Sequence, residues 1–107
     1  MKTLDDTIYL QRLYDFYGKL LTNKQQSYFE AYYFNDYSIT EIAENHHISR
    51  NAVFDQLKRV ETKLEEYETQ LSLYQNYQKR QSIYREIGEL EEITTIKELI
   101  DKVKEIE

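Results

Sequence analysis

The chain has no proline, and its only glycines are Gly18 and Gly88. A β-sandwich or barrel needs turn residues every ~8–12 positions, so that class is all but excluded. Collagen-like and Gly/Pro-rich low-complexity chains are excluded outright. Helix ends must instead be marked by capping side chains. Thr22-Asn23-Lys24-Gln25 and Ser38-Ile39-Thr40-Glu41 both read as capping boxes. In each, a hydroxyl satisfies an orphan amide and the Gln or Glu three residues later reaches back to the cap. Thr95-Ile96-Lys97-Glu98 repeats the pattern, and Ser49 reads as a further N-cap.

Apolar residues between these signals fall at helical spacing. Tyr9, Leu13, Phe16 and Leu20 form one stripe, and Leu10, Tyr14, Tyr17 and Leu21 a second beside it, with Gly18 weakening the helix near its end. Tyr28, Phe29, Tyr32 and Tyr33 share a face of the next helix, which should stop near Asn35-Asp36. From Ser49 onward, Val53, Leu57, Val60, Leu64, Tyr67, Leu71 and Tyr74 alternate spacings of four and three. That is an unbroken heptad seam. It predicts one helix from about 50 to about 79, ~45 Å long. Ile83, Ile87 and Leu90 continue the spacing, and Ile96, Leu99, Ile100, Val103 and Ile106 give the last helix an apolar stripe.

At 107 residues and 40% hydrophobic, the chain can build one core. The expectation is a single all-α domain over 1–107: a compact head at 1–60 and a helical tail at 61–107. Cysteine is absent, so there is no disulfide framework and no thiol nucleophile. The longest apolar run, Ala31-Tyr32-Tyr33-Phe34, is too short to span a bilayer. A cytoplasmic protein without membrane contact is expected. Net charge is −6, and residues 64–107 carry six basic against eleven acidic groups. Residues 38–63, with four of each, are the one stretch where a modest basic surface could form.

That neutral stretch carries the most informative pattern. Ile39 to Leu57 has the spacing of a helix-turn-helix. Ile42 and the small Ala43 face inward from the first helix, Ile48 plugs the turn, and Val53 and Leu57 face inward from the second. Two short helices that cross steeply need a small residue at the crossing and a tight turn between them. The second helix then turns Arg50, Asn51, Phe54, Asp55 and Lys58 outward. In a major groove, Arg50 would read guanine, Asn51 adenine, and Phe54 a thymine methyl. Ser49 and the helix N-terminus would hold a phosphate, with Lys58 adding positive charge. Asp55 opposes this, since it repels phosphate. The same geometry is also a generic way to pack three helices, and an exposed Phe54 equally suits a protein contact.

Ser38 to Leu64 resembles region 4 of bacterial sigma factors. Leu21 to Arg80 is similar, more closely, to the YlxM family of small bacterial helix-turn-helix proteins. The resemblance rests on Leu21-Thr22 with Gln25-Gln26, Tyr37-Ser38 with Glu41-Ile42-Ala43-Glu44, and Ile48-Ser49-Arg50-Asn51-Ala52-Val53. Lys58-Arg59, Leu64-Glu65-Glu66-Tyr67-Glu68, Leu73-Tyr74 and Gln78-Lys79-Arg80 complete it. It implies a DNA-binding regulator and a link to the signal recognition particle pathway, through either its protein or its RNA. His47 departs from the pattern, standing in the turn where many helix-turn-helix units have glycine. His46 stands where an apolar residue is usual.

The remaining constellations point away from chemistry. His46 and His47 are adjacent and lack a third histidine or a cysteine, so neither a metal site nor any other cofactor is expected. Glu65-Glu66-Glu68 and Glu89-Glu91-Glu92 read as solvated faces, and no phosphate loop or nucleophile pattern is present, so no enzyme is expected. Six of the eleven tyrosines (Tyr9, Tyr14, Tyr17, Tyr28, Tyr32 and Tyr33) fall on core faces, with hydroxyls expected to reach solvent. Tyr74, Tyr77, Lys79, Arg80, Tyr84 and Arg85 interleave aromatics with positive charge, which suits a protein interface better than an RNA stacking surface. The seam outrunning the head predicts a homodimer. Two functions follow: a nucleic-acid-binding regulator, or a protein-interaction module of the targeting machinery that does not bind DNA.

Overall fold

The structure is a computed structural model that describes residues 2–89 and 94–107, with the side chains of residues 94 and 95 outside the description. It is all-α. Six α-helices lie among the described residues: α1 Leu4–Tyr17, α2 Asn23–Tyr33, α3 Ile39–His46, α4 Arg50–Leu71, α5 Leu73–Gly88 and α6 Thr94–Ile106. A 3-10 turn at Gly18–Leu20 follows α1. No described helix is long and apolar enough to cross a membrane.

The caps lie where the residue types put them. Thr22 and Gln25 form the box that opens α2, Ser38 and Glu41 the box that opens α3, and Ser49 caps α4. Thr3 and Asp6 add a box at α1, with Asp in the place of the usual Glu or Gln. Thr95, read as a cap, lies within α6, which begins at Thr94, and its side chain is outside the description; Leu90, Glu91 and Glu92 lie outside the described residues.

Residues 1–74 form one compact unit and residues 75–107 another. In the first unit, α4 packs against α1, α2 and α3. Near its start, Val53 and Leu57 close a core with Tyr28, Ile42 and Ala43. Two turns on, Val60 and Leu64 enter a larger core with Leu10, Leu13, Tyr17, Leu21, Phe29 and Tyr33. Tyr67 and Tyr74 pack against that same cluster, so the first unit continues well past residue 60. The heptad seam is therefore used within the chain as far as Tyr67, with Leu71 left half exposed.

The single helix expected from 50 to 79 is overturned. α4 stops at Leu71, and Ser72 adopts the left-handed conformation at φ 53°, ψ 30°. The cause is remote in sequence. Ser72 N–H still closes the last turn on the Glu68 carbonyl at 2.8 Å. The next amides find side-chain acceptors: Leu73 N–H donates to the Tyr17 hydroxyl at 3.0 Å, and Tyr74 N–H donates to Glu68 Oε1 at 3.1 Å. A helix break normally leaves orphan amides; here these two are satisfied.

Of the six tyrosines assigned to core faces, Tyr17, Tyr28 and Tyr33 are buried, while Tyr9 and Tyr32 keep more than a third of their surface exposed. Two buried hydroxyls donate to carboxylates: Tyr17 to Glu68 at 2.6 Å and Tyr33 to Glu61 at 2.5 Å. Burial, reinforced by these carboxylates, pushes the Tyr17 hydroxyl up to about 12 and raises that of Tyr33 as well. In the second unit, the Tyr84 hydroxyl donates to Glu107, Arg80 pairs with the same carboxylate at 3.6 Å, and Lys104 lies over the Tyr84 ring. Tyr74 belongs to the first unit, against Tyr9 and Phe16. Of the interleaved set, Tyr74 thus packs in the first unit, while Arg80 and Tyr84 meet Glu107 in the second.

Candidate nucleic-acid interface

The interface is built by α3, the turn after it, and the first two turns of α4. Ile42 and Ala43 are buried, as their spacing requires. His47 ends α3 in the left-handed conformation at φ 55°, ψ 43°, the geometry that favours glycine, and its N–H reaches the Glu44 carbonyl at 3.3 Å. Ile48 N–H follows by donating to the Ala43 carbonyl at 3.1 Å, and the Ile48 side chain packs on the Tyr28–Ile42–Val53 core. His46 holds its usually apolar position through an aromatic contact, with its ring 4.6 Å from that of Tyr28.

Ser49 then starts α4. Its Oγ accepts from Ala52 N–H at 3.0 Å, and its carbonyl accepts from Val53 N–H at 3.1 Å. The first amides of a helix have no partner within it, so those of Arg50 and Asn51 face outward. The Ser49 hydroxyl proton also remains free to donate. With Val53 and Leu57 turned into the core, helical geometry turns Arg50, Asn51, Phe54, Asp55 and Lys58 to the surface, and all five are exposed.

Ser49, Arg50, Asn51 and Phe54 come together around one shallow depression, which Ile39 completes from the start of α3. Lys58 does not join them. It lies ~12 Å along the axis from Arg50 and borders a second depression with Asp55, Arg59, Thr62, Lys63 and Glu66. Arg59 and Lys63 were not among the residues singled out from the sequence. Their signal was available in the i,i+4 row they share on the flank of the seam.

Ion pairing does not set the cations of this face apart, since among the described residues Lys19 and Lys24 also enter none. Lys2 is paired with Glu61, Arg12 with Asp15 and Arg80 with Glu107. Among the described residues, Arg50, Lys58, Arg59 and Lys63 enter no ion pair, and all four are exposed. Exposed cations on both flanks of α4, with the free Arg50 and Asn51 amides at its capped start, can hold phosphate oxygens, and Arg50 and Asn51 present planar donor groups suited to base edges. Asp55 and Glu66 lie within the same stretch and oppose it.

Comparison with known proteins supplies the family. Residues 4–106 match the family described as "Putative helix-turn-helix protein, YlxM / p13 like". The chain is 46% identical over 106 residues to a curated relative from Geobacillus, covering 97% of this chain and 96% of that one. It is 42% identical over 108 residues to the protein YlxM of Bacillus subtilis, covering 94% and 98%. Against YofM of Lactococcus lactis the figure is 43% over 104 residues, covering 97% and 92%. The helix-turn-helix geometry and the end-to-end match agree, and the chain belongs to the YlxM/p13-like helix-turn-helix family.

Proposed function

We propose that this protein is a cytoplasmic, non-enzymatic regulator that binds duplex nucleic acid through the start of α4. Ser49 and the α4 N-terminus engage a phosphate, Arg50, Asn51 and Phe54 face base edges, and Lys58 contacts the backbone one turn on. The observation that carries this reading is the helix-turn-helix geometry that gathers exposed Ser49, Arg50, Asn51 and Phe54 around one depression at the start of α4, in a chain of a helix-turn-helix family. The test is fluorescence anisotropy with a random-sequence duplex. Arg50→Ala and Lys58→Ala should each weaken binding several-fold while leaving the helical content intact. Unchanged binding in both variants refutes the assignment of these residues.

A second reading, contact with a protein of the targeting machinery, is favoured by one observation. α6 carries exposed Ile96, Leu99, Val103 and Ile106 on an otherwise charged helix. This stripe also supports a homodimer, whereas the heptad seam is consumed within the chain as far as Tyr67. If Arg50→Ala leaves binding to the signal recognition particle protein and RNA intact while Leu99→Glu abolishes it, this reading replaces the first.

A further inference from the structure

Beside the reading depression, and sharing Ile39 and Phe54 with it, the first unit has a cleft of about 460 Å³, walled by Tyr32 of α2, Ile39 of α3 and Phe54 of α4, with Lys2, Lys58 and Glu61 along its edge. Its volume falls in the range of small-molecule sites. Its walls are apolar yet exposed: Phe54 is 55% and Tyr32 38% accessible. Its charge is unbalanced. Glu61 already accepts from the Tyr33 hydroxyl and pairs with Lys2, whereas Lys58 enters no ion pair. The carboxylate is satisfied within the protein and one ammonium is left over.

We infer that this cleft is a binding site for a small amphipathic anion, with an aromatic or acyl body against Tyr32, Ile39 and Phe54 and a carboxylate, sulfonate or phosphate on Lys58. Flat apolar walls match a ring or chain, and the surplus ammonium matches a single negative charge. A metal cation is disfavoured by that same surplus, and a second protein helix would need a far larger apolar face than this cleft offers. Phe54 and Lys58 belong both to the cleft and to the surface assigned above to nucleic acid. An occupant therefore competes with the duplex for these two side chains, and the site acts as an effector site. Only this competition rests on the proposed function; the binding itself does not.

The probe is 1-anilinonaphthalene-8-sulfonate, a fluorescent aromatic anion of about twenty non-hydrogen atoms, titrated into the native full-length chain. Ordinary ligand efficiency at that size gives a Kd of roughly tens of micromolar. Lys58→Glu should weaken binding at least about tenfold, and Tyr32→Ala about fivefold, with unaltered far-UV circular dichroism as the folding control. Tyr32 lies outside the reading face, so Tyr32→Ala should leave duplex binding as it was. Leu99→Glu on α6 should not change probe affinity. Probe binding indifferent to Lys58→Glu and Tyr32→Ala, or abolished by Leu99→Glu alone, overturns the site. Duplex that binds without displacing the probe overturns the competition, and a protein that takes the probe but no duplex retains the site while the proposed function fails.

Discussion

Tyr17→Phe tests the account of why α4 ends. The ring is fully buried, and the substitution keeps its contacts with Phe16 and Tyr67 while removing one oxygen. That oxygen donates to Glu68 at 2.6 Å and accepts Leu73 N–H at 3.0 Å. A hydrogen bond to a charged group contributes about 1.5–3 kcal/mol, and the Leu73 amide can recover part of its loss from water, so a net cost of about 2 kcal/mol is expected at pH 7. In a domain of this size that is roughly a 10 °C fall in the thermal midpoint. The penalty should also depend on pH with a definite sign. Tyr17 is raised from 10 to about 12 by burial, with Glu68 adding to it. Between these values the unfolded state has released a proton that the folded state retains, so the stabilising contribution is present below pH 10 and is lost as pH rises towards 12. Two pKa units at about 1.4 kcal/mol each bound this loss at about 3 kcal/mol, the same order as the mutational cost. Urea titrations of both proteins at pH 8 and pH 11 should therefore show the gap closing at the higher pH. Hydrogen exchange at the Leu73 and Tyr74 amides should accelerate in the variant at pH 7. A gap below about 0.5 kcal/mol at pH 8, or one of equal size at both pH values, refutes this role of the Tyr17 hydroxyl.

Three further outcomes follow from single positions. Gly18→Ala should destabilise by about 1 kcal/mol in urea, although Gly18 is in ordinary helical geometry, where alanine gains by propensity. The new Cβ would lie 3.0 Å from the Tyr14 ring, which cannot retreat because it is stacked on Phe29 at 4.6 Å; a stabilised variant would show that the ring does yield. His47→Gly should raise the urea midpoint by the equivalent of about 0.5–1 kcal/mol with an unchanged slope, because His47 is held at φ 55°; a loss of stability would mean the imidazole contributes more than its backbone strain costs. Sedimentation at micromolar concentration should give a dimer that Leu99→Glu converts to monomer, and a monomeric wild type removes the homodimer.

Helix starts were legible because a cap is a local device. Thr22 with Gln25, Ser38 with Glu41, and Ser49 are each legible within a few residues, and each is in place. The inward set Ile42, Ala43, Val53 and Leu57 was legible for the same reason, since it depends only on helical period and one tight turn. The end of α4 was not, because the acceptor for Leu73 N–H is the Tyr17 hydroxyl, 56 residues earlier, which also orients Glu68 of α4 towards Tyr74 N–H. Nor could the heptad spacing distinguish a partner chain from α1 and α2 of the same chain, because both present a groove of the same period. At the candidate interface the direction of each α4 residue was legible. The absence of ion pairs at Arg50, Lys58, Arg59 and Lys63 was not, because it depends on which carboxylates the fold brings near.

The salt dependence of binding to a random-sequence duplex tests the central claim most directly, because it needs no knowledge of a target. If Arg50, Lys58, Arg59 and Lys63 each replace a condensed counterion, log K should fall against log salt with a slope of about −3 to −4, from a Kd of ~10⁻⁴–10⁻⁶ M at physiological salt. Lys58→Ala should reduce that slope by about 0.9. No binding even at low salt, or binding whose slope is indifferent to Lys58, would mean that the helix-turn-helix serves this protein as architecture and not as a nucleic-acid reader.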